Sequence, residues 1–471
     1  MITFLNSSLN ILFLLIPLSF ILGNGVINGL TALIIVIGLI KFNKTIFHFK
    51  QNILLYLLTV FFLLIIFSSF LNYSENSSEF LRSLVFCKYL FLVLILKKII
   101  DEDILNLKFF LYSAALTTLI VSFSVIGEWI YDFQIDDFLL YGDAYQKCDV
   151  KVLQTGIIDL TEPCAQNNWA VYNARSSMRY NSGIFFQEKI AGGFMARFSI
   201  FLIFLIFYFK KIENYNYKNF LIFFFILFVC QLSTLVTGNR MSFFLLLLMN
   251  FLYFFVFEID KKKIIILFTS LALIFTVVTF NKSLHKQYLS FFQNSTWIVI
   301  NLNKFIIKDT SKEEKINPKP NYRQSGSSHR YLFKTGIEIW KENKFFGSGY
   351  KSFRKKCSDV QKKSVYGACS NHPHNYYIEI LSENGLVGFV TIFLIIFTIF
   401  IKSINYLKNK HLIGDNLSII FYGSFLINFF VEMFPLRSSG SFFTTSNSAY
   451  IFILLGILLS NKLNVKKNNF I

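Results

Sequence analysis

Hydrophobic residues in this chain come in long runs, not in the strict alternation of a half-buried strand or the narrow stripe of a soluble helix. The runs fall at about 7–23, 26–40, 51–71, 80–96, 109–130, 183–209, 219–236, 241–258, 264–280, 385–401, 413–434 and 447–460. Most are close to the ~20 apolar residues that carry a helix across a bilayer, so the pattern predicts an all-α polytopic membrane protein of about twelve transmembrane helices. The count has a margin of about two, because "GNGVING" between the first two runs reads either as a tight turn or as a kink, and the last run is short. The N-terminus lacks the basic region and small-residue cleavage site of a signal peptide, so the first run is expected to remain as an anchor. No internal repeat or low-complexity tail is visible.

Composition supports this reading. Of 471 residues, 54% are hydrophobic, 60 are Phe and only 15% are charged, too little polar surface to clothe a soluble core. The charges orient the bundle, because short loops rich in Lys and Arg stay on the cytoplasmic side. Alternate connections and the tail hold eighteen lysines (41, 44, 50, 97, 98, 108, 210, 211, 218, 261, 262, 263, 402, 408, 410, 462, 466 and 467). The intervening short connections hold only Arg82, Arg240 and Arg437. Both termini are therefore expected in the cytoplasm, and the two long connections, 131–182 and 281–384, outside. The expected organisation is one polytopic domain over 1–471 carrying these two outer loops.

Cys148 and Cys164 lie in the first outer loop, and Cys357 and Cys369 in the second. Two thiols per loop read as one disulfide per loop in an oxidising compartment, with four unpaired thiols as the alternative. The spacing is not CxxC, which disfavours zinc.

The net charge of +19 does not point to nucleic acid, since most of the excess is the cytoplasmic flank. The segment 281–374 adds eighteen Lys and Arg against six Asp and Glu, a basic surface that would attract phosphates of lipids or lipid-linked substrates, or would simply be solvated. Arginine is the more informative cation, because its fork pairs with phosphate oxygens and stays charged at any depth. Arg240 in "TGNRMSFF" stands at a sharp turn on the outer surface, where a lone charge is costly and needs a partner. Arg330 opens an amphipathic segment, while Arg175, Arg179 and Lys189 approach the sixth run. Arg197 lies about two turns further in, where snorkelling or an ion pair with Glu188 competes with ligand binding.

Four of the six histidines, His285, His329, His372 and His374, lie in the large outer loop. His372 and His374 flank Pro373, which suits the first turn of a helix and places them at a helix start. Ser382 and Asn384 before Gly385 can cap a second start, making 374–383 a short surface helix ahead of the tenth span. His374 and Glu379, and Glu379 and Glu383, would then be neighbours. An imidazole can take a proton from a hydroxyl near neutral pH, although hydrogen-bonded structural histidines are as common a reading.

"HPHNYYIEILSENGLVG" resembles the H-x-H-N-x-Y-x-x-x-x-x-E-x-G-x-x-G signature of the O-antigen ligase and O-antigen polymerase superfamily. "RYNSGIFFQEKIAGGFMARF", "TGNRMSFFLLL" and "RYLFKTGIEIWKENKFFGSGYKSF" are similar to its other segments, in the same order, over about 175–390. The chain departs from the pattern at Gln187, Glu188 and Lys189, where Asn-Pro-Asn is frequent, and at Asn343 and Lys344, where proline is common.

The resemblance implies a GT-C-type inner-membrane glycosyltransferase that takes a glycan from undecaprenyl pyrophosphate and passes it to an acceptor in the periplasm. The acceptor would be the lipid A core for a ligase, or another lipid-linked repeat unit for a polymerase. On the family pattern His374 activates the acceptor hydroxyl and Arg240 and Arg330 hold the pyrophosphate, with Arg179 and His372 beside them and Asn375, Glu379, Glu383 and Glu188 in support. The displacement would be inverting and metal-free, without a cofactor. No DxD occurs in the outer loops, and the adjacent Asp136 and Asp137 read as loop residues. A lipid-linked glycan flippase is the competing class, but transporters carry polar groups at the midplane, where this chain has Phe, Leu and Ile.

Overall fold

Runs of Phe, Leu and Ile cannot leave backbone amides unpaired in an apolar surrounding, and a helix closes every hydrogen bond within one segment. A computed structural model describes residues 2–47, 52–73, 77–105, 107–131, 181–185, 190–210, 217–256, 261–289, 291, 329–363, 369–413, 416–438 and 440–460. Among them the chain is helical and contains no strand. The helices are α1 (Ile2–Leu14), α2 (Ile16–Leu22), α3 (Asn24–Phe42), α4 (Ile53–Leu71), α5 (Ser77–Phe86), α6 (Lys88–Asp101) and α7 (Leu107–Tyr131). There follow α8 (Ala191–Lys210), α9 (Tyr217–Val236), α10 (Arg240–Val256), α11 (Lys261–Phe280) and α12 (Lys282–Leu289). The last are α13 (His329–Glu342), α14 (Phe353–Lys363), α15 (Tyr376–Ile413), α16 (Asn416–Glu432) and α17 (Thr445–Leu458).

Among the described residues four helices are long and apolar enough to cross a membrane, or up to six if the bent pairs α1/α2 and α11/α12 each count as one span. Large apolar side chains such as Leu63, Phe70, Phe268, Phe275, Phe393 and Phe397 lie exposed on these helices. Such a surface fits lipid, and the protein is a membrane protein.

The chain divides into two compact units, Met1–Leu107 with Phe292–Ile471, and Lys108–Phe291. In the first, "GNGVING" is a turn: Gly23 takes φ 99°, and Lys41 at the end of α3 returns to bond Asn6 near the start of α1. The expected run 80–96 is broken at Cys87 into α5 and α6, because 77–86 carries Glu79 and Arg82 on an amphipathic turn. Small residues set the close approaches. A Cβ at Gly38 would meet Ile95 at 2.3 Å, and one at Gly456 would meet Leu96 at 2.8 Å, so α6 sits tightly between α3 and α17. Phe62, Phe86, Tyr89, Phe442, Phe443 and Phe452 form an aromatic core beside these helices, with ring centroids 5.1–6.1 Å apart.

The second unit packs α8 against α9 and α10, and α9 against α11. Gly192 lets α8 approach the turn between α9 and α10: a Cβ there would meet Asn239 and Thr237 at 2.8 Å. α12 turns by 105° from the axis of α11.

One expectation changes at α15 and another holds. The helix starts at Tyr376, after His374, whose φ of 59° is left-handed, so Pro373 does not open a helical turn. The segment from Tyr376 to Asn384 is a short helix that the non-helical Gly385 (φ 68°, ψ -168°) breaks from the tenth apolar run, as the position of Gly385 suggested. Cys148, Cys164, Arg175, Arg179, Glu188 and Lys189 lie outside the described residues.

Candidate active site

Gly385 breaks the helical ladder, and the loop "KFFGSGYKSF" repairs it. Leu386 and Val387 donate their amides to the carbonyls of Lys344 (2.8 Å) and Phe345 (3.1 Å). In return Ser348 and Gly349 donate to the carbonyls of Ser382 (3.0 Å) and Glu383 (2.9 Å). Only glycine fits at either side of this crossing: a Cβ on Gly385 would meet the Phe345 oxygen at 2.2 Å, and one on Gly347 would meet the Glu383 carbonyl carbon at 2.4 Å. α4 braces the joint, with Ser68 Oγ donating to the Glu383 carbonyl (2.7 Å) and Tyr350 donating its amide to Ser69 Oγ (3.0 Å).

The carboxylates of this segment are structural pins. Glu383, fully buried, accepts from the Lys351 amide (2.6 Å) and the Phe353 amide (3.3 Å), which closes the start of α14. Glu379, equally buried, accepts from Ser441 Oγ (2.5 Å) and the Phe442 amide (2.6 Å), tying α15 to the turn before α17. These bonds commit both oxygens of Glu379, the carboxylate expected as a neighbour of His374. Asn375 caps α15 by accepting from the amides of Tyr377 and Ile378 (3.0 and 3.1 Å), while its Nδ2 donates to the carbonyls of Pro435 (2.8 Å) and Arg437 (3.1 Å). Ser382 Oγ bonds the Glu379 carbonyl (3.0 Å) instead of capping a second helix start. Arg437 pairs with Glu432 (2.5 Å), whose other oxygen accepts from the Tyr376 hydroxyl (2.8 Å).

The imidazoles gather at the head of α15. The rings of His372 and His374 lie 4.2 Å apart, and His329, the first residue of α13, stands 4.8 Å from His374. Gly336 permits this approach, since a Cβ there would meet Ile378 at 2.4 Å where α13 crosses α15. His329 thus joins a site in which the sequence had assigned it no role; its position at the amphipathic helix start was the available signal. Burial, and then the positive charge that neighbouring imidazoles would add, pushes His374 down to about 3. Burial, His329 and Arg354 push His372 down to about 4. Both rings are therefore neutral at neutral pH, with a lone pair able to accept a proton.

A disulfide joins Cys357 of α14 to Cys369, with Cα atoms 5.0 Å apart, as the spacing in the large loop suggested. Leu332, Ile339, Phe353 and Val360 pack around Cys357. Burial and the nearby Arg354 lower the Lys351 ammonium from its ordinary range. Arg330 is the second residue of α13, next to His329; its side chain lies outside the described residues. Among the described residues no group of three His, Cys, Asp or Glu is arranged to hold a metal ion.

In the second unit, Gly238 (φ 71°) makes the turn between α9 and α10, and Asn239 caps α10 by accepting from the Ser242 amide (3.3 Å). Arg240, the first residue of α10, donates to the Gln287 carbonyl (3.4 Å), so the charge at this turn has the partner its position required. Beside it lies a cavity of about 350 Å³ lined by Trp129, Asn181, Asn281, Ser283 and Gln287 among others. Asn181 and Glu128 fix the entry to α8: Asn181 Nδ2 donates to the Val236 carbonyl (2.6 Å) and Glu128 accepts from the Gly183 amide (2.5 Å). Arg197 is buried within α8.

Comparison with known proteins singles out the same stretch. Residues 223–393 match the family model described as O-Antigen ligase, 171 of the 471 residues, spanning the Arg240 turn, the imidazole cluster and the kink at Gly385. Among curated proteins none matches the chain. Over the segment 223–393 the chain is similar to the O-antigen ligase family.

Proposed function

We propose that the protein is an inverting, metal-independent glycosyltransferase that moves a glycan from undecaprenyl pyrophosphate to an acceptor hydroxyl at the periplasmic face of the inner membrane. We assign it as an O-antigen ligase with the lipid A core as acceptor. The observation that carries the reading is the convergence of three imidazoles at the head of a helix whose carboxylates are already bonded elsewhere. In this scheme the acceptor oxygen attacks the anomeric carbon as its proton passes to His374, and the bond to the diphosphate breaks with its electron pair leaving on the phosphate oxygen. His374 on its own is a weak base, but the negative charge of a diphosphate beside it raises its proton affinity, so the base is competent when the donor is in place. Arg240 and Arg330 are assigned to the diphosphate by the family motif, stabilising the charge that develops on the leaving group. The protein would carry about twelve spans in a GT-C-type arrangement, with both termini in the cytoplasm.

The polymerase reading shares these motifs and differs only in acceptor. Expression in strains lacking either activity separates them. A ligase restores attachment of finished polymer to the lipid A core, a polymerase restores extension of single repeats, and restoration of neither in cells that insert the protein argues against both. A flippase would restore neither and would not depend on His374.

A further inference from the structure

Two nitrogens beside the imidazole cluster are buried and have no hydrogen-bond partner among the described residues: Nε of Arg354 and Nε2 of His372. Buried polar nitrogens of this kind are rare in native structures and ask for an explanation, of which a bound ion is one. Their neighbourhood is built by covalent structure. Arg354 is the second residue of α14, Cys357 lies one turn further along that helix, and the Cys357–Cys369 disulfide holds this turn against the segment that leads three residues later to His372. The guanidinium charge consequently acts on His372 and on Lys351. The carboxyls that could answer it are committed: Glu383 to the amides of Lys351 and Phe353, Glu379 to Ser441 and Phe442. The loop amides are committed as well, with Ser348, Gly349 and Tyr350 bonded to Ser382, Glu383 and Ser69. Hence the Gly-x-Gly loop is no phosphate cradle, and the available donors are side chains.

We propose that Arg354, held beside His372 by the Cys357–Cys369 disulfide, is an oxyanion-binding arm of this site and receives a phosphate oxygen of the lipid-linked diphosphate. The identity of the diphosphate rests on the transferase reading above; the oxyanion chemistry does not. A guanidinium suits the task because it offers several N–H donors in one plane and remains charged when buried. An anionic lipid headgroup offers the same chemistry from a second source.

The test is calorimetric binding to the detergent-purified full chain, with inorganic pyrophosphate, undecaprenyl pyrophosphate and phosphatidylglycerol as separate probes. The wild type should bind both diphosphates, and Arg354→Gln should weaken both by about tenfold or more. Arg354→Lys should retain part of the affinity, and Cys357→Ser with Cys369→Ser should lose affinity although Arg354 is present. In a transfer assay Arg354→Gln should raise KM for the donor and leave KM for the acceptor unchanged. Unaltered pyrophosphate affinity in a folded Arg354→Gln overturns the proposal. If that variant does not fold, unaltered affinity in Arg354→Lys does so instead. Binding of phosphatidylglycerol alone overturns the diphosphate assignment. Loss of pyrophosphate binding in a protein that transfers no glycan would leave the anion site standing and remove the transferase reading; full transfer with an unchanged donor KM would do the reverse.

Discussion

Glu379 and Glu383 have every carboxylate oxygen bonded to a neighbouring amide or hydroxyl, whereas His372, seven residues before the first of them, presents a buried nitrogen with no partner among the described residues. The two kinds of group occupy one short motif, and a reader of the sequence meets both as titratable residues beside an apolar run. Their surroundings separate them. The carboxyls are buried and hold two pieces of backbone in place: the start of α14 and the turn before α17. His372 packs against His374, where a ligand can supply the partner that its Nε2 does not have among the described residues. In such a motif the satisfied groups build and the unsatisfied groups act.

The comparison can be broken most forcefully at the carboxylates. Glu383→Ala removes the acceptor of two buried amides, and should cost roughly 3 kcal/mol, by analogy with other buried polar groups left unpaired. The thermal midpoint of the purified protein should fall markedly, and transfer by the fraction that remains folded should be largely kept. A variant with wild-type stability but no activity would move Glu383 from the frame to the chemistry.

A gentler probe is pH. His372 and His374 have an ordinary value of 6.5 in the unfolded chain and about 4 and 3 when folded, because burial disfavours the charged ring. Between those limits the unfolded chain binds more protons, so stability falls as pH drops from 6.5 towards 4. Thermal midpoints measured from pH 7 to pH 5 should decline, and the decline should be shallower in His372→Ala. Equal slopes in the two proteins would mean that the rings are not buried as described.

Much of the scaffold was legible in the sequence. Apolar runs located the helices, the pair of cysteines in the large loop gave the disulfide, and "TGNR" gave the turn that starts α10. The remainder depended on contacts distant in sequence. Pro373 looked like the first residue of a helix, but Asn375 supplies a side-chain cap, so the helix begins after it. Glycine at 385 looked like the start of a span, and it is the break before one, but nothing local shows that the loop around Gly347 satisfies the freed amides across nearly forty residues. His329 and Arg354 reach the site through the packing of α13 on α15 and through the disulfide, neither of which local pattern reveals.

The most direct measurement is transfer by the full chain reconstituted in liposomes with purified undecaprenyl-pyrophosphate-linked glycan and acceptor, in a buffer containing EDTA. The wild type should form product with inverted stereochemistry. His374→Ala, still folded and still binding donor, should transfer roughly a hundredfold to ten-thousandfold more slowly. Transfer by His374→Ala at the wild-type rate, or a strict need for added divalent cation, would contradict the account.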